Sequence, residues 1–278
     1  MTATLDRPVI AAPLPGLLSA SMVRSSVELK SFFRNRQSLV FTVAFPVILL
    51  VVFGSIFTGN VEGTSTDFQQ VFVAGIIAAG VMSTAFTGLA MSVALEKDMG
   101  TIRRLASTPM PKGAYFVGKL VRVTVTSVIE AALLLAIGVA FFGLQLPRDA
   151  AHWLAFGWVL ALGIAALSLG GLAYCALIPN ARSASAIVTP PFLVLQFISG
   201  VFFPFNQLPS WMQSVASLFP LKWMTQGFRY AFLPDDFKAV EAGGTWDLTG
   251  IATILTAWIV AGALLTFVSF RWRGPRVR

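Results

Sequence analysis

Glu96-Lys97-Asp98-Met99-Gly100-Thr101-Ile102-Arg103-Arg104-Leu105, followed by Thr108-Pro109, is a charged island between two long apolar runs. Read as one helix, it places Leu95, Met99, Ile102 and Ala106 on a single face by their i, i+4, i+7, i+11 spacing. Glu96, Lys97, Arg103 and Arg104 then point elsewhere. A short amphipathic helix between two membrane spans is the kind of element that a soluble partner pushes or pulls.

Composition supports the bilayer as the solvent. Hydrophobic residues make up 56% of the 278 residues and charged residues 12%, against about 25% charged in ordinary soluble domains. A helix needs about 20 apolar residues to cross the hydrocarbon. Such runs occur at 38–57, 70–94, 116–142, 153–178, 186–204 and 248–270, which predicts six spans. Pro46 interrupts the first and Pro190-Pro191 the fifth. Both are tolerated where neighbouring helices satisfy the carbonyls that proline leaves free.

Sixteen of the 20 basic residues fall on one side of that map. By the positive-inside rule both termini are cytoplasmic, so most of the +8 net charge reflects topology and not affinity for nucleic acid. The first apolar run reads as a retained span and not as a cleaved leader: about 37 residues precede it, and no small-residue cleavage pattern follows. Trp153, Trp246 and Trp272 sit at span ends, as an aromatic belt would have them. Residues 1–16 read as a flexible cytoplasmic tail, 17–270 as the transmembrane domain and 271–278 as a basic cytoplasmic tail. Within 17–36, Leu18, Met22, Leu29, Phe32 and Phe33 share an arc, with Arg24, Glu28, Lys30 and Arg34 outside it. That pattern predicts an interfacial helix on the cytoplasmic leaflet, or a plain basic anchor.

Several apparent motifs carry no chemistry. Gly113 to Lys119 has phosphate-loop spacing, but Leu120 stands where a magnesium ligand belongs and no strand precedes it, so Lys119 reads as a snorkelling anchor. Cys175 and His152 are each the only residue of their type, which leaves no disulfide and no metal site. Ser168 with Gly170-Gly171, and the strip Gly80, Thr84, Gly88, Ser92, read as surfaces for close helix packing, the strip against a neighbour or a second copy. Glu130 lies mid-span, where an ionised group is expensive. It is either a hydrogen-bonded structural acid or a group facing a translocation path. The connection between spans five and six is unusually apolar. Leu208, Trp211, Met212, Val215 and Leu218 predict one helix, Pro220 breaks it, and Trp223 to Tyr230 predict a second. Together they form a hairpin dipping into the outer leaflet.

Three blocks in order resemble the ABC type 2 exporter permeases. The first is Phe33-Arg34-Asn35-Arg36 with Phe45-Pro46 and Phe53-Gly54. The second is Glu96, Gly100-Thr101, Leu105 and Thr108-Pro109 with Gly118-Lys119. The third is Ser199-Gly200-Val201-Phe202-Phe203-Pro204 with Leu208-Pro209 and Phe219-Pro220-Leu221. The resemblance covers residues 17–270. It implies an all-α integral membrane protein with six spans, an interfacial helix before the first, a coupling helix between the second and third, and a short outer hairpin before the sixth. It also implies a second permease copy, identical or not, and separate ATP-binding subunits that hold ATP and magnesium.

The expected function is the permease subunit of an exporter for an apolar or amphipathic substrate such as a drug, lipid or lipid-linked compound, in the plasma membrane. The chain itself is expected to be no enzyme and to bind no cofactor. Coupling to the ATPase is expected at Glu96, Gly100, Thr101, Arg103, Arg104 and Leu105, and the pathway at Phe86, Glu130, Phe192, Phe197 and Phe202. Two alternatives stay open: a lipid-modifying membrane enzyme, which would need clustered catalytic groups, and a proton-coupled transporter relying on Glu130.

Overall fold

A computed structural model describes residues 14–270 and 272. The described chain is helical. Its only extended pairing is an isolated antiparallel bridge between Asn60 and Asp67. In order the helices are α1 (Leu17–Arg34), α2 (Arg36–Ile56), α3 (Phe68–Met82), α4 (Leu89–Asp98), α5 (Thr101–Ala106), α6 (Lys112–Phe142), α7 (Ala150–Tyr174), α8 (Ala181–Ile198), α9 (Ser210–Ala216), α10 (Pro220–Phe232) and α11 (Leu248–Ser269). A π-helical segment, Ser83–Gly88, joins α3 to α4 in one continuous rod.

Among the described residues, five segments are long and apolar enough to cross a membrane: Phe68–Asp98, Lys112–Phe142, Ala150–Leu177, Ala181–Ile198 and Leu248–Ser269. The first expected span forms α2, 21 residues long and carrying Pro46 within it. The fifth was expected to reach residue 204 and stops at Ile198. Gly200 takes the left-handed conformation (φ +76°) there and turns the chain.

The rod formed by α3 and α4 is the centre of the bundle. Every residue from Val71 to Met82 is buried, as suits a helix that is apolar all round. Inside lipid such burial gains little from water exclusion, so close contact must supply the attraction. Glycine permits it: a Cβ on Gly75 would overlap the carbonyl of Val201, and one on Gly163 would overlap Met224. Pro190 and Pro191 stay within α8. The Ile187 carbonyl that Pro191 cannot satisfy accepts a hydrogen bond from the Tyr174 hydroxyl at 3.1 Å.

Packing adds three details to the sequence reading. First, α1 forms and packs on α6 by its charged side. Ala20, Ser21 and Glu28 are buried while Leu18, Met22 and Phe33 are exposed. The apolar arc is thereby left free, and the polar arc is satisfied by partners on α4 and α6. Second, the strip on the central rod is filled from within the chain: Gly80 and Thr84 face Glu130 of α6, and Ser92 lies 3.5 Å from the Lys119 ammonium. Third, the hairpin helix α10 is not superficial. It packs among α3, α7 and α11, burying Lys222 and Arg229.

Candidate coupling site and apolar compartments

The island is two helices. The left-handed Gly100 (φ +72°) ends α4 and starts α5, so the single apolar face expected from Leu95 to Ala106 does not exist. Ile102 alone of that set is buried, whereas Leu95, Met99 and Ala106 are exposed. Arg103 and Arg104 are exposed, with an Arg104 guanidinium nitrogen donating to the Met99 carbonyl at 3.3 Å. Leu105 packs against the core from the side. Thr101 and Gly100 are half-buried at the elbow.

Glu96 faces inward. It accepts a hydrogen bond from the Tyr115 hydroxyl at 2.8 Å and pairs with the Lys119 ammonium. Lys119 also meets Glu28 of α1 at 2.9 Å, and Glu28 in turn pairs with Arg24 and lies 3.8 Å from Arg122. Lys119 is fully buried, so the snorkelling role expected for it is replaced by an ion-pairing one. The guanidinium of Arg24 and the ammonium of Lys119 both stand over the Tyr115 ring, 5.4 and 5.5 Å from its centre. This network ties α1, α4 and α6 together immediately before α5. The end of α11 joins them, with Phe270 and Trp272 packed on Tyr115 and Phe116. Sequence reasoning missed Glu28 as a member. Its signal was the four-residue spacing of Ala20, Arg24 and Glu28 along one side of α1.

The five expected pathway residues do not share one surface. Phe86 lines an apolar cavity of about 610 Å³ between the π segment, α7, α8 and α11, with Gly170, Leu195, Trp258 and Leu265 among the other walls. Phe192 is buried in the core. Phe202 joins an aromatic cluster on the far side of the turn after α8, its ring centre 5.6 Å from Phe53, 6.0 Å from Phe72 and 4.9 Å from the exposed Phe197. Glu130 lies on the α6 side of the central rod, 1% exposed, where its Oε2 accepts from the Thr84 hydroxyl at 2.5 Å.

Among the described residues, the opposite end of the bundle has one buried ion pair. Arg229 of α10 donates to Glu241 at 3.1 Å and to the carbonyls of Gly200 and Phe203, locking the hairpin onto the turn that ends α8. Nearby, the Lys222 ammonium meets Gln226 Oε1 at 2.6 Å and the face of Trp223, and burial pushes it down to about 8. Asp149 caps α7 through the His152 backbone N–H at 2.9 Å, a bond that holds its carboxyl below the ordinary range. No group of three or more metal-ligating side chains occurs among the described residues.

The geometry is that of a polytopic helical membrane protein with an exposed basic elbow at one end and apolar compartments inside. The family described as ABC-2 type transporter matches residues 22–233, and the chain belongs to it. It is 26% identical over 240 residues to the inner membrane transport permease YadH of Escherichia coli K12, covering 84% of this chain and 92% of that one. It is 24% identical to the putative transport permease ycf38 of Porphyra purpurea, covering 84% and 82%. It is 25% identical to the probable multidrug ABC transporter permease YbhR of E. coli K12, covering 68% of this chain and 50% of that one.

Proposed function

We propose that the chain is the membrane-spanning subunit of an ABC exporter that acts on an apolar or amphipathic substrate. In this reading α2, 21 residues long, completes a set of six spans. Its α1 lies on the cytoplasmic leaflet by the exposed arc of Leu18, Met22 and Phe33, and both termini are cytoplasmic. A second copy, identical or related, completes the pathway, and ATP with magnesium is bound by separate subunits that dock beneath α5.

The observation that carries the reading is the basic elbow at Gly100. Arg103 and Arg104 are exposed, while the charged residues beside them are tied into the bundle through Glu96 and Lys119. Force applied to α5 therefore passes directly to α1, α4 and α6. The predominantly apolar walls of the 610 Å³ cavity favour drugs or lipid-like molecules over sugars or ions. A lipid-modifying enzyme is disfavoured because His152 pairs with Asp149, the cap of α7, and the acids Glu28 and Glu96 are neutralised by Lys119 and Arg24. A proton-coupled route through Glu130 is disfavoured because that carboxyl is walled off from the cavity by the central rod.

The test is co-expression with ATP-binding subunits encoded by neighbouring reading frames, followed by purification on a tag carried by this chain. Co-elution with ATPase activity supports the reading, and a chain that purifies folded and alone under those conditions contradicts it. Topology is checked in a Cys175→Ser background. Single cysteines at Thr64 and Gly243 should react with an impermeant maleimide from outside intact cells, and one at Ser107 should not.

A further inference from the structure

Thr84 makes an unusual choice. A buried threonine in a helix ordinarily donates to a carbonyl of its own helix three or four residues back. Thr84 instead reaches across to Glu130 Oε2 on α6. The second carboxyl oxygen, Oε1, is buried without a partner and lies against Gly80, where a Cβ would stand 2.9 Å from it. Thr84 belongs to the π-helical segment Ser83–Gly88, in which the backbone carries an extra residue relative to an α-helical turn. Such segments are rare and concentrate at functional sites.

Two residues further along the same segment, Phe86 faces the opposite way. It lines the 610 Å³ cavity, its ring centre 5.3 Å from that of Tyr174. Gly171 of α7 comes so close that a Cβ on it would lie 2.9 Å from the Phe86 carbonyl oxygen. One short segment thus holds a polar bond to α6 on one side and a cavity wall on the other.

We infer that Glu130 is a positioning residue that acts through Thr84: their hydrogen bond keeps the π register of Ser83–Gly88 and so fixes where Phe86 stands in the apolar cavity. Without an acceptor on α6, the Thr84 hydroxyl turns to a carbonyl of its own helix and the segment relaxes toward α geometry. A change of register confined to this segment moves Phe86 and reshapes the cavity. The consequence for which apolar molecules fit rests on the export reading, but the hold on Phe86 does not.

The test uses the purified full chain in lipid nanodiscs, in a Cys175→Ser background, with a single cysteine replacing Phe86 and N-ethylmaleimide as the probe. A single cysteine replacing Leu265, on the α11 wall of the same cavity, serves as the control. Glu130→Leu and Thr84→Val should each change the labelling rate at position 86 by roughly threefold or more, as thiol access governs that reaction, and leave position 265 unchanged. Glu130→Gln and Thr84→Ser retain an acceptor and a donor and should keep the original rate. Unchanged labelling at 86 in both disrupting variants overturns the inference. Equal shifts at 86 and 265, which mean general loosening, also overturn it, as does a Gln variant that behaves like Leu. Failure to recover an ATPase partner would instead count against the export reading and leave these rates as they are.

Discussion

The two ends of the bundle are fastened by different chemistry. At the α5 end, Arg24, Glu28, Glu96, Lys119 and Arg122 share charge across three helices, so most partners have more than one counter-ion. At the opposite end a single pair, Arg229 with Glu241, is shut inside the hairpin and completed by two backbone carbonyls. A shared network keeps its members paired while helices shift against one another. A lone pair with fixed carbonyl partners holds one geometry. The α5 end is accordingly suited to transmitting movement, and the hairpin end to resisting it.

Breaking the network at its centre should have the largest effect. Lys119→Met removes the one fully buried cation of the network and leaves Glu28 and Glu96 to share the charge of Arg24, so the cost should be about 3–5 kcal/mol. Thermal unfolding of the purified chain would show it as a large drop in Tm, and the comparison fails if Tm is unchanged. Next comes Arg229→Met, which strands Glu241 and frees the Gly200 carbonyl, at about 3 kcal/mol. Here the double variant Arg229→Met/Glu241→Leu should regain much of the loss, because replacing both members of a buried pair by apolar groups is often close to neutral. Recovery should be less complete for Lys119→Met/Glu96→Leu, since Glu28 loses its Lys119 contact and keeps only Arg24 and Arg122. The contrast between the two double variants sharpens the distinction between network and lone pair.

Much of this was legible in the sequence. Hydropathy predicted the five segments that are long and apolar enough to cross a membrane, and the proline at position 220 separated the two hairpin helices at the right place. The features that stayed hidden depended on contacts between distant segments. Glu28 and Lys119 are 91 positions apart, and each taken alone looks like a surface residue of an amphipathic end. The packing of the charged side of α1 on α6 was hidden too, because periodicity tells which face is apolar and not what covers the polar one. The elbow at Gly100 was hidden because an isolated glycine inside a helical pattern is compatible with continuation as well as with a break. No local pattern marks a π-helical segment.

Smaller effects are expected at Glu130. Replacement by Leu removes the Thr84 acceptor and should destabilise by roughly 1–3 kcal/mol, whereas Gln should leave Tm almost unchanged. An equal loss in both would mean that the charge, and not the hydrogen bond, holds the site. Least affected in stability should be the exposed pair Arg103 and Arg104, since surface substitutions usually change it by under about 0.5 kcal/mol.

That last pair provides the decisive measurement. Arg103→Glu/Arg104→Glu reverses charge on the basic elbow and leaves the Glu96–Lys119 network in place. Co-purification with the ATP-binding subunits, together with ATPase turnover in proteoliposomes, should be measured beside Tm for the double variant and its parent. If α5 is the docking element, Tm stays unchanged while the ATPase is lost or uncoupled, because like charges facing each other across a docking surface cost several kcal/mol. Normal ATPase recovery and normal turnover in a folded double variant would contradict that role.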